Sequence, residues 1–552
     1  GFGNGDGSII NSGEVNSGFF GAGIVLTSGG SADIQNSGSL NTTGDFHSAT
    51  IIRARSGVSN ADLSITNAAT GALSTTGDDS HGMFIDFIDN AGSGTIVLSN
   101  LGAIGTQGAR SSGIFADVPT GDIDIDNSGT VQTGGAEATA ILARLAGAGD
   151  VTVFNSGAIT TSGFFASGIF GDAGSGNVTL TNGAAGDIQV TRNGMRADTS
   201  GNADLLNQGN ISVTGQGAGL SANISGNLTQ TNTGTIVTIG DGSRGFSSNV
   251  GGDALITNEG AVTVTGDGAG TRGLSSNMTA DGDSTVVNAM AGAISVTGED
   301  AVGITSFTRG GDSSVQNAGS LTVTGDGAIG IESFTGSGAI SVENSGSITV
   351  TGAGARAMSV NTNGTDLSIV NSGDLSSTGQ AIYAYGYGGA LTLTSSGSIT
   401  GDIELSETID TVTISGALAG DVALGAFDDV LTFDGAMPAV FDQAFAGGAG
   451  SDTLNFSYPS SSSIAATVDG FETVNVSGSY ILDGAVITGS EMFFVSSSGD
   501  VTIASSGASI EAATGVVSAG FLSFEPGAIL DIDTGGFTAQ AGSTTVFGID
   551  AS

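Results

Sequence analysis

Apolar and polar residues alternate in short runs along almost the whole chain. In Ala293-Ile294-Ser295-Val296-Thr297, Ile294 and Val296 fall on one side and Ser295 and Thr297 on the other, the period-two signature of a half-buried strand. No stretch carries a convincing helical period with caps. The runs belong to a recurring phrase: Asn, any residue, Gly, then an alternating strand closing in Thr-Gly. It reads NQGNISVTGQG from Asn207, NTGTIVTIGDG from Asn232, NEGAVTVTGDG from Asn258, NAGSLTVTGDG from Asn317 and NSGSITVTGAG from Asn344. The same register holds at Asn11, Asn36, Asn100, Asn127, Asn155 and Asn371, with looser copies at Asn67, Asn182 and Asn288.

Each repeat holds three strand signals. One follows Asn-x-Gly, one is Gly-Ile-Phe or a relative (Gly113-Ile114-Phe115, Gly168-Ile169-Phe170), and one precedes the next Asn, as in Val151-Thr152-Val153-Phe154-Asn155. Gly-Asp-Gly and similar pairs between them suit turns with positive φ. The mean spacing from Asn11 to Asn371 is about 28 residues, a period that signals a stacked array. Three strands per repeat and no helix predict a right-handed parallel β-helix (a β-solenoid) of roughly 20 coils, each burying its apolar side against its neighbours. Asn at a fixed corner predicts a ladder of side-chain amides through Asn127, Asn155, Asn207, Asn232, Asn258, Asn317, Asn344 and Asn371. The phrase fades after Thr400, so 1–400 reads as regular coils and 401–552 as less regular coils of the same array.

Composition sharpens this picture. The 97 glycines among 552 residues, in a chain that is 38% hydrophobic, belong to a folded architecture and not to a solvated linker. The formal net charge is -43, and all ten basic residues are Arg. Such a chain repels nucleic acid and anionic membrane surfaces, whose recognition needs clustered Lys and Arg. Cysteine is absent, which excludes disulfides and thiolate metal sites. Residues 1–6 carry neither a basic nor an apolar leader segment, and no run of about 18 apolar residues predicts a spanning helix.

With these repeats, the chain resembles the passenger region of bacterial autotransporters (type V secretion). The tail phrases GGAGSDTLNFS (447–457) and GFETVNVSGSYILDG (470–484) resemble the coils that precede the translocating barrel in that family. The resemblance implies export across an outer membrane, a signal peptide and a C-terminal barrel; neither of the last two lies in this sequence, which implies a processed or truncated passenger.

Four groups of residues carry candidate chemistry. Gly447–Asn455 matches the G-G-x-G-x-D-x-U-x nonapeptide of calcium-binding β-rolls, making Asp452 and, 23 residues earlier, Asp429 weak calcium candidates; a structural turn is the plainer reading. His47 and His81 are the only histidines, with Asp45 near the first, but no nucleophile elbow accompanies them, so both read as surface residues. Asp241, Asp267, Glu299, Asp300 and Asp326 recur at one turn, with Arg244, Arg272 and Arg356 close behind, and mutual neutralisation on the surface is the expectation. Tyr383, Tyr385 and Tyr387 alternate and share one face. Outward they make a contact patch, inward they fill a wider coil, and the inward reading is preferred.

No inter-repeat loop is long enough to build a pocket, so the expectation is a non-enzymatic, adhesin-like or structural stalk at the bacterial surface. Its partners are host or neighbouring-cell glycans or proteins, or copies of itself in a surface filament. A polysaccharide-active enzyme is the remaining alternative, and no cofactor is expected beyond a possible calcium ion.

Overall fold

Why the alternating runs stack is visible in the computed structural model. It describes residues 5–18, 21–54, 61–87, 94–363, 365–386, 389–405, 407–435, 440–457, 462–504, 508–526, 528–532, 536–540 and 543–547. All regular structure in them is β-strand, and the architecture is a parallel β-solenoid of about 19 turns with about 26 residues per turn. Two units divide the chain, Gly1–Thr308 and Arg309–Ser552.

In the first unit each coil contributes three strands, as in Val151–Asn155, Ala158–Thr161 and Ile169–Ala173. Within the unit, strands pair in parallel with their counterparts one coil on, Val151 beside Val178, Ile159 beside Ile188 and Ile169 beside Met195. Since the alternation is kept in register, like residues stack: Ile34, Ile65, Leu98, Ile125, Val153, Leu180 and Leu205 form one fully buried column. Full burial of such side chains contributes about 1.5–3 kcal/mol each. The column then meets Gln230, buried with neither amide atom hydrogen-bonded, before returning to Ile256 and Val286.

The Asn-x-Gly turn has a direct physical cause. Asn155 Nδ2 donates to Asn182 Oδ1 of the next coil (2.8 Å) and to Gly157 O across its own turn (3.1 Å). A Cβ on Gly157 would lie 1.9 Å from Gly129 O of the preceding coil, so only glycine lets the backbones close up. A second device ties down the next corner. Thr42, Thr75, Thr106, Thr133 and Thr161, stacked and buried, each donate Oγ1 to the carbonyl five residues on.

The second unit opens with the same coil, Asn317 stacking on Asn344 and Asn344 on Asn371. Beyond Asn371 the coils shorten. Its register partner Ser395 lies 24 residues on, Ile414 a further 19 and Phe433 another 19, which brings the overall spacing below the 28 of the Asn-marked coils. Asn371 Nδ2 ends on Ser395 Oγ (3.1 Å). The same column then turns apolar through Ile414, Phe433 and Phe456, the two rings 5.7 Å apart and nearly parallel. A separate six-stranded parallel sheet runs from Val440–Phe441 to Thr544–Phe547.

Candidate functional site

The sequence-marked residues fall into distinct places. Asn127, Asn155, Asn207, Asn232 and Asn258 lie in one amide chain running from Asn11 to Asn288, in which each Nδ2 donates to the next Oδ1 at 2.7–2.9 Å. Asn317, Asn344 and Asn371 form the corresponding chain of the second unit. These amides are interior structure, at most 1% exposed in the coils from Asn36 onward.

Asp429 and Asp452 also stack. Asp410 N donates to Asp429 Oδ1 (2.8 Å), Asp429 N to Asp452 Oδ1 (2.9 Å), and Asp452 N to Glu472 Oε2. All three aspartates are fully buried, and each keeps an Oδ2 without a hydrogen bond. Burial pushes Asp410 up to about 8 and Asp429 to about 7, and raises Asp452 as well. Among the described residues no group of three or more His, Asp or Glu side chains is arranged to hold a metal ion.

At the acidic turn, carboxylates serve the backbone. Asp241 accepts from Asp267 N, Asp267 from Glu299 N, and, in the second unit, Asp326 from Ala353 N; Asp300 sits in the left-handed region (φ 52°). The expected neutralisation by interleaved arginines is not what Arg244 and Arg356 do. Arg244 donates to Gly270 O (3.1 Å) and Ser247 Oγ (3.0 Å), and Arg356 to Gln380 Oε1 (2.8 Å) while covering the Tyr383 ring at 4.2 Å. Arg272 donates to Ala269 O (3.2 Å) and lies over Phe307.

Tyr383 and Tyr385 stand half-buried on the outer face, while Ala381, Ile382 and Ala384 take the core, so the preferred inward reading is corrected. The interior at this strand is already filled by aliphatic side chains. Tyr387 lies outside the described residues. His81 corrects the surface reading in the opposite sense. It is buried against Phe84 (4.9 Å) and Phe115 (4.7 Å), and its Nδ1 accepts from Ser112 N (3.0 Å). Burial lowers its pKa to about 4, so the ring is neutral at ordinary pH. His47 is half-buried with Nδ1 unpartnered, and Asp45 accepts from Asp78 N.

The arrangement with the most evident binding chemistry lies elsewhere in the first unit. The loops closed by the threonine column hold Phe46, Asp79, Arg110, Glu137 and Phe165 at φ 52–60°. Bulky residues avoid this region, which persists only where the surroundings over-determine it. At the last loop the exposed rings of Phe164 and Phe165 lie 3.9 Å apart, beside a hollow of about 410 Å³ lined by Thr191, Thr214 and Gln216. Sharing Phe165 and Gln216 with it is a second hollow of about 370 Å³, whose lining includes Arg192, Asn193, Arg196, Ser221, Arg244 and Ser247. Arg192 covers the Phe165 ring at 5.1 Å. Arg196 covers Phe170 at 4.8 Å and is clamped by both oxygens of Asp198.

Three of the ten arginines of a chain with 53 acidic residues thus converge on one groove. Burial, and then the like charge of Arg272 in the adjoining strand, depress the Arg244 guanidinium below its usual range. A hollow of about 490 Å³ in the second unit, lined by Asp312, Asp366 and Ser341 among others, has no arginine in its lining. Sequence reasoning missed the groove because its arginines, 4 and 48 residues apart, occupy different positions of the coil; the available signal was Phe164-Phe165, adjacent phenylalanines in a turn where the other threonine-closed loops carry at most one.

No family model matches this chain, and no curated protein or solved structure matches it either.

Proposed function

We propose that the chain is an exported, cell-surface passenger of the autotransporter kind, an adhesin-like stalk that engages glycans or proteins of host or neighbouring cells through its outer face. The observation that carries this reading is the division of labour in the Asn-marked coils. Inward positions are consumed by stacked aliphatic and amide columns, and the side chains with binding chemistry, above all Phe164, Phe165, Arg192 and Arg244, line open hollows outside them. The net charge of -43 and the absence of cysteine suit an exported, soluble surface protein.

A polysaccharide-active enzyme is the second reading, favoured by one feature. Asp86, Asp117, Arg144, Asp172 and Asp198 stack in register on the outer face, and burial raises Asp117 and Asp172. Incubating the whole chain with acidic and neutral polysaccharides separates the two. The adhesin reading expects retention of the chain on a cell surface or glycan array with no new reducing or unsaturated ends. Cleavage products would install the enzyme, and absence of retention on every surface tried would remove the adhesin.

A further inference from the structure

We propose that the groove of Phe164, Phe165, Arg192, Arg196 and Arg244 binds an anionic saccharide, a sugar ring bearing a carboxylate or sulfate. This rests on the surface-binding reading above and names its ligand class.

Charge makes the case for an anion. Among the described residues Arg192 has no hydrogen bond or ion pair, and Arg244 is met only by a carbonyl and a hydroxyl, although carboxylates outnumber arginines more than fivefold. Arg244 stacks in register beside Arg272, so two like charges are held close together. That arrangement costs stability in the free protein and is relieved when an anion enters. Arg196 is different: Asp198 holds its Nε and Nη2, which fixes the guanidinium plane and leaves Nη1 for a ligand.

The remaining lining selects a sugar over a bare anion. Phe164 is 71% exposed and Phe165 44%, although solvent exposes such rings at a cost. They offer a flat apolar platform for the C–H face of a pyranose ring, and the Thr161 tether with a left-handed Phe165 holds the platform in place. Gln216 and Ser221 add an amide and a hydroxyl to the lining, groups of the kind that hydrogen-bond sugar hydroxyls. From the coil of Phe165 to that of Arg244 is three strand spacings, about 14 Å, a run suited to a short oligosaccharide. A densely charged polyanion such as nucleic acid is disfavoured, because the net charge of -43 repels it beyond the groove.

The test is calorimetric titration of the full chain at low salt with four probes: an oligogalacturonate, a sulfated oligosaccharide, a neutral oligosaccharide of equal length and inorganic sulfate. At least one acidic sugar is expected to bind about tenfold or more tightly than both the neutral sugar and sulfate, with affinity falling as salt is added. The double variant Arg192→Gln/Arg244→Gln and, separately, Phe164→Ala are each expected to lose about tenfold or more. Arg53→Gln, outside the groove, is expected to bind as the parent does. Circular dichroism melts confirm that the variants fold; should the double variant fail, Phe164→Ala carries the test alone. Equal binding of the neutral sugar, equal binding of free sulfate, or full binding by the folded variants would overturn the assignment. If the parent chain still attaches to cell surfaces while groove variants attach equally, the ligand assignment falls and the adhesin reading stands. If acidic sugar binds but no surface retains the chain, the adhesin reading falls alone.

Discussion

The amide ladder of the first unit and the carboxylate ladder of the second solve one problem with different chemistry. Both stack a short polar side chain on its counterpart in the next coil, in the interior. In the first, Asn155 donates through Nδ2 and accepts through Oδ1, so each amide satisfies the next without a charge. In the second, the Asp429 side chain passes no hydrogen bond on to the next carboxyl. Its Oδ1 takes the N–H of Asp410, its Oδ2 finds nothing, and burial drives its carboxyl to hold a proton. The amide column is therefore indifferent to pH, while the carboxylate column is built to respond to it. The difference also marks what fills the coil: where the amides stop at Ser395, Phe433 and Phe456 occupy the column they vacate.

Substituting inside the amide ladder breaks the comparison most severely. Asn155→Asp puts an ionised group between Asn127 Nδ2 and Asn182 Oδ1, leaving the latter facing a like partial charge. The expected loss is about 3 kcal/mol or more, read as a fall in the urea midpoint at pH 7. An unchanged midpoint would show that the ladder carries no stability. Next in size is pH. Asp410 and Asp429 ionise near 4 in the unfolded chain and near 8 and 7 when folded, so the folded form holds extra protons between those limits. The contribution of these two carboxyls is expected to be full below about pH 4 and to fall by a few kcal/mol as pH rises to about 8. The double variant Asp410→Asn/Asp429→Asn should remove that fall in equilibrium unfolding; a fall with rising pH that survives it would place the titration elsewhere. The smallest effect is expected of Ser395→Asn, which extends the amide column by one rung towards Ile414. A shift within about 1 kcal/mol is expected, and a larger loss would show that the short coils cannot admit the amide.

Asn127 and Asn371 were legible because a stacked array repeats its corner at nearly constant intervals, and Asn-x-Gly names both the ladder and the close approach behind it. Asp410 was not, since the coils around it are 19 residues long and fall outside the rhythm of the Asn-marked turns. Tyr383 was misjudged because alternation tells that two positions face opposite ways, not which way is inward; His81, in the turn before the strand Met83–Phe87, was misjudged because its burial comes from Phe84 and from Phe115 of the next coil. The groove escaped entirely, as no local pattern relates Arg192 to Arg244.

What the sequence alone determined is the coil: period, three strands, parallel stacking and the polar corner, all of which follow from local alternation repeated at fixed spacing. The tertiary structure alone decided which side chains share a surface. Stacking places residues that are dozens apart in the chain about one strand spacing apart in space. Charges, rings and orphaned carboxyls acquire their chemistry only from the neighbours that stacking supplies.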